Sequence, residues 1–214
     1  MNVQLLVFAK QPVPGRVKTR LCPPCTHRQA AAVAAAALED TIAAVQATPS
    51  THRTLVVSGS HAPPPGWTVA RQQGAGLGER IARAFADTAV GGVPSVLIGM
   101  DTPQVTPDLL TEVVCALRHA DAVLGPAEDG GWWTLALRDP HHSSVLRDVA
   151  MSTKDTGALT TAALRRRGLT VRMAPTLCDV DTVADAWAVA RTCPVGRFAA
   201  AVWANVPPTD GYLG

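Results

Sequence analysis

Short apolar runs alternate with longer amphipathic stretches along this chain. The first run, Val3–Ala9, is apolar except for Gln4 and has the length of a buried strand. Further runs of this kind predict strands at Thr54–Ser58, Ser95–Met100, Asp121–Gly125, Trp132–Leu137 and Leu169–Ala174. Stretches with helical periodicity lie between them and predict helices at Arg28–Ala47, Leu77–Thr88, Pro107–Arg118, Ala158–Arg167 and Val183–Arg191.

This alternation predicts an α/β fold with three layers, in which a mostly parallel sheet carries helices on both faces. A chain of 214 residues has the size of one such domain, which we place at residues 1–192. The tail, residues 193–214, either packs on that domain or joins a second copy in a homodimer, and the sequence leaves both alternatives open. Ligands of such sheets bind at the carboxyl ends of strands, where the strand order reverses. Residues that directly follow strands are therefore the candidates for a site.

The amino-acid composition excludes several broad classes of protein. Hydrophobic residues make up 47% of the chain and charged residues 17%, which is typical of a globular protein. The formal charge of +2 gives no reason to expect a nucleic-acid partner. No apolar run approaches the roughly 18 residues of a membrane span, and the start lacks the basic region of a signal peptide. Together with five cysteines, an odd number, these features predict a cytoplasmic protein without membrane contact.

A basic loop follows the first predicted strand directly. It places Lys10, Arg16, Lys18 and Arg20 within eleven residues, around Gly15. Cations and a glycine-containing backbone are what nucleotide phosphates require, although a solvated basic loop would show the same composition. The Gly-Lys-Ser/Thr ending of a P-loop is missing. We interpret this segment as a phosphate-binding loop of another type.

Carboxylates follow two other predicted strands. Asp101 ends the strand Ser95–Met100, where a carboxylate can hold Mg²⁺ that bridges nucleotide phosphates, or can instead cap the following turn. Asp179 and Asp181 alternate along an extended segment and so point to the same side. We favour Asp181 as the second metal ligand; ordinary acid placement before a helix is the alternative.

A turn with two glycines lies between the predicted strands Asp121–Gly125 and Trp132–Leu137. Asp129, Gly130 and Gly131 precede Trp132, and this pattern allows a ligand to approach the backbone and to stack on an indole ring. A tight turn in front of aromatic core residues is the alternative interpretation. By strand alternation, one of Trp132 and Trp133 should face a cleft and the other the core. We predict an acceptor site from these residues together with Thr153.

The ordered motifs resemble a known family. Phe8-Ala9-Lys10, Pro14-Gly15, Lys18-Thr19-Arg20-Leu21, Gly99 to Pro103, Gly125 to Gly131 and Asp179 to Thr182 are similar to motifs of a small bacterial glycosyltransferase-A-like family associated with arsenosugar biosynthesis. The same arrangement of motifs is more remotely similar to the 2-phospholactate guanylyltransferases and the molybdenum-cofactor nucleotidyltransferases. The resemblance extends from residue 1 to about residue 191.

The resemblance implies a nucleotide-diphospho-sugar transferase fold with a Rossmann-like sheet. The nucleotide would lie against residues 8–20, including Phe8 and Ala9, and near Gln73 to Gly78. Asp101 would bind the metal, Mg²⁺ or Mn²⁺, with Asp181 as its partner. The chain departs from the pattern at Ala9-Lys10, where the nucleotidyltransferases have paired glycines, at Met100, where the closer family has a serine, and at Trp132-Trp133, which replace tyrosines. These departures leave the acceptor open.

Two reactions fit these residues. In nucleotidyl transfer, a small phosphorylated or acidic acceptor attacks a nucleoside triphosphate and releases pyrophosphate; in glycosyl transfer, a nucleotide sugar is the donor. Four cations around one glycine favour the first, with Lys18, Arg20 and Asp101 as catalytic residues. A non-catalytic nucleotide-binding module is a third hypothesis, but it would not need the carboxylates of Asp101, Asp129 and Asp181.

Overall fold

The computed structural model describes residues 2–208; the last six residues of the predicted tail lie outside this range. The strands are β1 Gln4–Lys10, β2 His52–Ser58, β3 Thr68–Arg71, β4 Ser95–Gly99, β5 Ala122–Pro126, β6 Trp132–Leu137 and β7 Val171–Met173. The α-helices are α1 His27–Ala47, α2 Leu77–Thr88, α3 Pro107–Ala116, α4 Thr156–Arg166, α5 Val183–Thr192 and α6 Arg197–Asn205. Thr19–Leu21 and Pro140–Asp148 form 3₁₀ segments.

The strands form one mixed sheet in the order β3-β2-β1-β4-β6-β5-β7. All neighbouring strands run parallel except β6, which is antiparallel to both β4 and β5. The chain runs outward from β1 to β2 and β3 and then returns to place β4 on the other side of β1. The strand order therefore reverses between β1 and β4, at the position where such sheets bind ligands. The predicted three-layer α/β fold is confirmed.

Alternating side chains divide the core between the two faces of the sheet. Leu5 of β1 points into the core shared with α1 and α3, whereas Leu6 points into the core shared with α2, α4 and the 3₁₀ segment Pro140–Asp148. Both leucines are fully buried. This burial on both faces explains why the strand appears in the sequence as a nearly continuous apolar run rather than an alternating one.

Four elements were not predicted from the sequence: β3, α6 and the 3₁₀ segments Thr19–Leu21 and Pro140–Asp148. β3 has only four residues, all exposed or partly exposed, so it carries no apolar run. The helix α6 lies within the tail and packs its buried face, which includes Phe198 and Val202, into a third core with α1 and α5. Asp40 of α1 caps α6, since its two carboxylate oxygens accept hydrogen bonds from the backbone N–H groups of Arg197 and Phe198 at 3.1 and 2.8 Å.

The helix α1 is also the one helix among residues 2–208 whose length and hydropathy would suit a membrane span. Its mean hydropathy is 1.3 over an 18-residue stretch, and 56% of that stretch is buried within the fold. The buried side chains include Val33 and Leu38, which belong to the protein cores. Packing against the sheet and α6 therefore accounts for the apolar character of α1.

Candidate active site

A cleft of about 620 Å³ opens at the carboxyl ends of β1 and β4, which lies within the usual range for small-molecule sites. Phe8 of β1 is paired with Gly99 of β4, so the residues after each strand leave the sheet side by side. The chain has only three lysines, and all of them line this cleft: Lys10, Lys18 and Lys154. Arg16 and Arg20 line it as well. The cleft therefore gathers cations from distant parts of a chain whose net charge is nearly neutral.

Lys18 lies at the centre of this charge arrangement. Its Nζ is 2.5 Å from Oδ1 of Asp101 and 3.3 Å from Oδ1 of Asp181, and its side chain is only 6% exposed. The backbone of Lys18 has φ 48, in the left-handed region that residues with a side chain rarely adopt. Such a conformation costs about 1–3 kcal/mol and occurs preferentially at functional sites. The basic loop after β1 therefore lies against the carboxylates of Asp101 and Asp181.

Backbone and side-chain hydrogen bonds hold the two carboxylate-bearing segments together. The N–H of Val180 donates to the carbonyl of Asp101 at 3.0 Å, and the amide Nε2 of Gln104 donates to the carbonyl of Cys178 at 2.6 Å. Oδ2 of Asp181 also accepts a hydrogen bond from Nη1 of Arg20 at 2.8 Å, although the side chain of Arg20 is 75% exposed. The segment before α5 is thus joined to the loop after β4 on both sides of Asp179.

The carboxylates of the cleft shift the pKa values of neighbouring groups. Burial opposes the charge of Lys18, but Asp101 and then Asp181 outweigh it, and the pKa of Lys18 is raised above its ordinary value. The pKa of Asp179 is raised to about 7, first by burial and then by the negative charges of Asp101 and Asp129, against the opposing effect of Lys18. The cleft therefore holds more carboxylates than its buried lysine can neutralise.

The opposite wall is formed by the turn before β6 and the loop before α4. Oδ1 of Asp129 accepts a hydrogen bond from the N–H of Gly131 at 2.8 Å, and both residues line the cleft. Trp132 lies half-buried on this wall, and its indole N–H is buried without a hydrogen-bond partner among residues 2–208. Trp133 is 1% exposed and donates its indole N–H to the carbonyl of Pro175 at 2.9 Å. The two indoles pack on opposite faces of the sheet, as strand alternation predicts, but both tryptophans line the cleft.

Most of the residues predicted for the site line the cleft. They are Phe8, Ala9, Lys10, Arg16, Lys18, Arg20, Asp101, Asp129, Gly131, Trp132, Thr153 and Asp181. Four other predicted residues do not line it: Gly15, Gln73, Gly78 and Gly130. Packing explains why two of these positions require glycine. A Cβ on Gly78 would overlap the carbonyl of Leu146, and a Cβ on Gly130 would overlap the backbone of Lys154.

The sequence interpretation missed Gln104. Lys154 lines the cleft next to Thr153, on the segment Ser152 to Lys154 that the sequence assigned to an acceptor-side loop. Ser152, on the same loop, has φ 59, a backbone state that no sequence pattern indicated. Gln104 donates a hydrogen bond to the carbonyl of Cys178, which is 74 residues away in sequence, so only the tertiary structure brings the two together.

The residues present fit a divalent cation held together with phosphates. Asp101 and Asp181 each place a carboxylate oxygen against one cationic atom, Nζ of Lys18, so the pair is arranged to hold a positive charge between them. Within residues 2–208, no group of three or more His, Cys, Asp or Glu forms a metal site by itself. Mg²⁺ in nucleotide enzymes is commonly held by one or two carboxylates, with phosphates and water as the other ligands. A pair of carboxylates is sufficient for that arrangement.

Comparison with solved structures agrees with this fold. A protein from Desulfovibrio desulfuricans G20, provisionally named a nucleotide-diphospho-sugar transferase, superimposes with a TM-score of 0.85 and 27% identity, and the match covers 95% of each chain. The 2-C-methyl-D-erythritol 4-phosphate cytidylyltransferase from Thermus thermophilus matches with a TM-score of 0.53 and 15% identity, over 91% of this chain and all of the other. Rv0371c from Mycobacterium tuberculosis H37Rv, in complex with manganese, matches with a TM-score of 0.53 and 19% identity over 90% of this chain and all of the other.

These similarities confirm the nucleotide-diphospho-sugar transferase fold, and the match with the Desulfovibrio protein agrees with the expectation of an enzyme of the transferase class. At 15 and 19% identity, the last two matches support the fold alone. No protein of curated function matches the chain in sequence. A family model matches residues 29–153, more than half of the chain, and covers the segment from α1 through β6 to the loop before α4. The chain accordingly belongs to the family described as uncharacterized protein conserved in bacteria (DUF2064).

Proposed function

We propose that this protein transfers a nucleotidyl group from a nucleoside triphosphate to a small phosphorylated or acidic metabolite and releases pyrophosphate. The observation that carries the proposal is the contact of Lys18, in the cationic loop after β1, with both Asp101 and Asp181. A triphosphate with its divalent metal needs both partners in one place, because cations bind the phosphates and carboxylates bind the metal.

The basic residues supply the phosphate-binding side. Lys10, Arg16, Lys18 and Arg20 line one wall of the cleft, beside the ends of β1 and β4. A triphosphate carries more negative charge than the diphosphate of a nucleotide sugar, so a wall with four cations suits the triphosphate better. The cytidylyltransferase of the same fold supports this class of reaction.

The chain's own residues account for the main requirements of the step. An oxygen of the acceptor forms a bond to the α-phosphorus while the bond from that phosphorus to the α–β bridging oxygen breaks, and pyrophosphate leaves with the added negative charge. Lys18 and Arg20 are placed to stabilise that charge by hydrogen bonds and electrostatic attraction. Asp101 and Asp181 would hold Mg²⁺ or Mn²⁺, which when bound neutralises part of the phosphate charge. The manganese complex of Rv0371c supports a divalent ion in this fold.

The opposite wall is the acceptor side in this proposal. The N–H of Gly131 is already held by Asp129, whereas the hydroxyl groups of Ser152 and Thr153 and the ammonium group of Lys154 belong to residues that line this wall. Cationic and neutral donors suit an acceptor with a phosphate or carboxylate group. Trp132 adds a flat apolar surface on which a carbon skeleton can lie.

Glycosyl transfer is the second candidate, and one observation favours it. The protein from Desulfovibrio desulfuricans, which matches over 95% of both chains, carries the name of a nucleotide-diphospho-sugar transferase. In that reaction the bond between the sugar's anomeric carbon and the diphosphate breaks, and a nucleoside diphosphate leaves. The same cations and carboxylates would stabilise that leaving group.

The products distinguish the two reactions. We would first screen CTP, GTP, UTP, ATP and their sugar nucleotides by thermal shift with Mn²⁺, since a ligand of the folded state raises the melting temperature. Ligands that bind would then be incubated with phosphorylated and carboxylate-bearing acceptors, and pyrophosphate and nucleoside diphosphate measured separately. Pyrophosphate release that depends on acceptor supports the proposal, and nucleoside diphosphate release from a sugar nucleotide selects the second candidate.

Matched variants separate turnover by this site from a contaminating activity. Asp101→Asn removes the charge of the carboxylate but keeps its shape, and we expect the metal-dependent rate to fall by about a hundredfold or more. Asp87→Asn, an exposed position on α2 away from the cleft, should keep the rate. An Asp101→Asn variant as active as the unaltered protein would remove Asp101 from the metal site.

A further inference from the structure

We propose that the ammonium group of Lys18 and a divalent cation exclude each other from the Asp101–Asp181 pair, so that a bound metal displaces Lys18 and phosphates that draw Lys18 away strengthen metal binding. This inference rests on the proposed function and specifies how binding of the metal and binding of the nucleotide are coupled. Lys18 would then have two positions: a metal-free one on the carboxylates and a nucleotide-bound one on the phosphates.

The position of Lys18 on the carboxylates is the one that the structure shows. The Nζ of Lys18 contacts a carboxylate oxygen of Asp101 and one of Asp181, both within ion-pair distance. A cation held by these two oxygens would lie where the Nζ is, or so near it that two positive charges would be in contact. Like charges a few ångströms apart in a partly buried site repel strongly. Metal and lysine therefore cannot occupy the pair together.

Lys18 has no comparable carboxylate partner elsewhere in the described chain. Its ion pairs among residues 2–208 are those with Asp101 and Asp181, and its side chain is almost fully buried. If it left the carboxylates without a new anionic partner, a buried charge would be uncompensated, which is costly. The phosphates of a nucleotide on the adjacent wall, lined by Lys10 and Arg16, would provide that partner.

Arg20 does not compete with the metal in the same way. It contacts Asp181 alone, through the second oxygen of that carboxylate, and 75% of its side chain is exposed to solvent. It can leave Asp181 for water or for a phosphate at little cost, as exposed ion pairs contribute little. The exclusion is therefore specific to Lys18.

The unaltered protein provides a direct test, because its three lysines all line one cleft. The protein is treated with an amine-acylating reagent, with and without Mn²⁺ and without nucleotide, and the modification of each lysine is measured by peptide mass spectrometry. Mn²⁺ should raise the modification of Lys18 severalfold, since the ion displaces its ammonium group. Lys10 and Lys154, which form no ion pair in the described chain, serve as internal controls and should stay nearly unchanged. Equal modification of Lys18 with and without saturating Mn²⁺ would overturn the proposal.

Titration of Mn²⁺ alone, followed by electron paramagnetic resonance, gives a second test. Lys18→Met keeps the unbranched side chain as far as Cε but removes the ammonium group, and we expect this variant to bind Mn²⁺ at least about tenfold more tightly than the unaltered protein. Arg118→Met, which removes a positive charge at an exposed position outside the cleft, is the matched control and should leave the affinity unchanged. Adding Asp101→Asn to Lys18→Met should abolish the gain, because the carboxylate pair is then broken.

The results separate this inference from the proposed function. If the unaltered protein releases pyrophosphate but Lys18→Met binds Mn²⁺ no more tightly than it does, the exclusion is refuted and the proposed reaction stands. A gain in Lys18→Met, in a protein that binds no nucleotide, would refute the proposed function and the phosphate trigger but keep the cation site. If neither form binds Mn²⁺ at millimolar concentration, the carboxylate pair is not a metal site and the inference fails.

Discussion

Val180 donates its backbone N–H to the carbonyl oxygen of Asp101 over 3.0 Å. This hydrogen bond joins the loop after β4 to the segment before α5, and each of these carries one of the carboxylates that hold Lys18. A backbone bond of this kind fixes the spacing of Asp101 and Asp181 independently of their side chains. The cation site therefore has a rigid frame, to which Gln104 adds a second hydrogen bond.

Removing the side chain of Gln104 tests that frame. Gln104→Ala deletes the hydrogen bond to the carbonyl of Cys178, and a bond of this kind contributes about 1 kcal/mol. We expect Mn²⁺ binding to weaken about two- to tenfold because the segment that carries Asp181 becomes less well positioned. Titration with Mn²⁺ measures the effect, with Gln73→Ala, at an exposed position outside the cleft, as control. Unchanged affinity in Gln104→Ala would mean that the Val180–Asp101 bond suffices.

Lys18 should also govern nucleotide affinity. If its ammonium group binds phosphate, Lys18→Ala should weaken the binding of a triphosphate by well over tenfold, which is more than about 1.4 kcal/mol. Isothermal titration calorimetry with the triphosphate chosen by the thermal-shift screen measures this directly. Arg118→Ala, an exposed position after α3, removes a positive charge far from the motifs and should bind normally. A calorimetric curve for Lys18→Ala that matches the unaltered protein would contradict the phosphate role.

The stability of the C-terminal helix α6 depends on one carboxylate of α1. Asp40→Ala leaves the N–H groups of Arg197 and Phe198 without their acceptor, and the free energy of unfolding should fall by about 1–2 kcal/mol. Glu39→Ala removes a neighbouring ion pair with Arg197 between two side chains that are more than half exposed. That variant should lose at most about 0.5 kcal/mol. Urea denaturation of both would show whether the cap or the ion pair matters, and equal losses would refute the cap.

Asp121 gives a prediction of pH dependence outside the cleft. The hydroxyl and then the backbone N–H of Thr170 donate to Oδ2 of Asp121, at 2.6 and 2.9 Å, and they lower the pKa of this carboxyl. Because the folded state binds the proton less readily than the unfolded state, the ionised carboxylate stabilises the fold above its ordinary pKa. That contribution is lost as the pH falls through the lowered value.

We therefore expect Asp121→Asn to be less stable than the unaltered protein at neutral pH, and the difference to shrink at acid pH. Thermal melts at a series of pH values measure this difference. A difference that persists at pH values well below the lowered pKa would mean that the hydrogen-bond geometry, rather than the charge, stabilises the contact between β5 and the start of β7.

Much of this protein follows from local patterns in its sequence. The runs that became β1 and β4 are apolar because both faces of each strand are buried, and burial on both faces leaves that signature whatever the neighbours are. Asp101 could be identified because it breaks such a run at the strand's end. Lys18 and Arg20 could be identified because the basic residues lie close together in sequence, so no long-range contact had to be inferred.

Other features depended on contacts between distant residues. The antiparallel direction of β6, the edge strand β3 and the packing of α6 are set by which surfaces meet, and a short or Ala-rich segment carries little local signal about its partners. The same holds for the site: Gln104 reaches Cys178, and Lys154 comes to the cleft of Lys18, only because the sheet brings its strand ends together. Sequence determined the chemical groups that are available, whereas the tertiary structure decided that Lys18 lies between two carboxylates, since that distance is fixed by the packing of β1, β4 and the segment before α5.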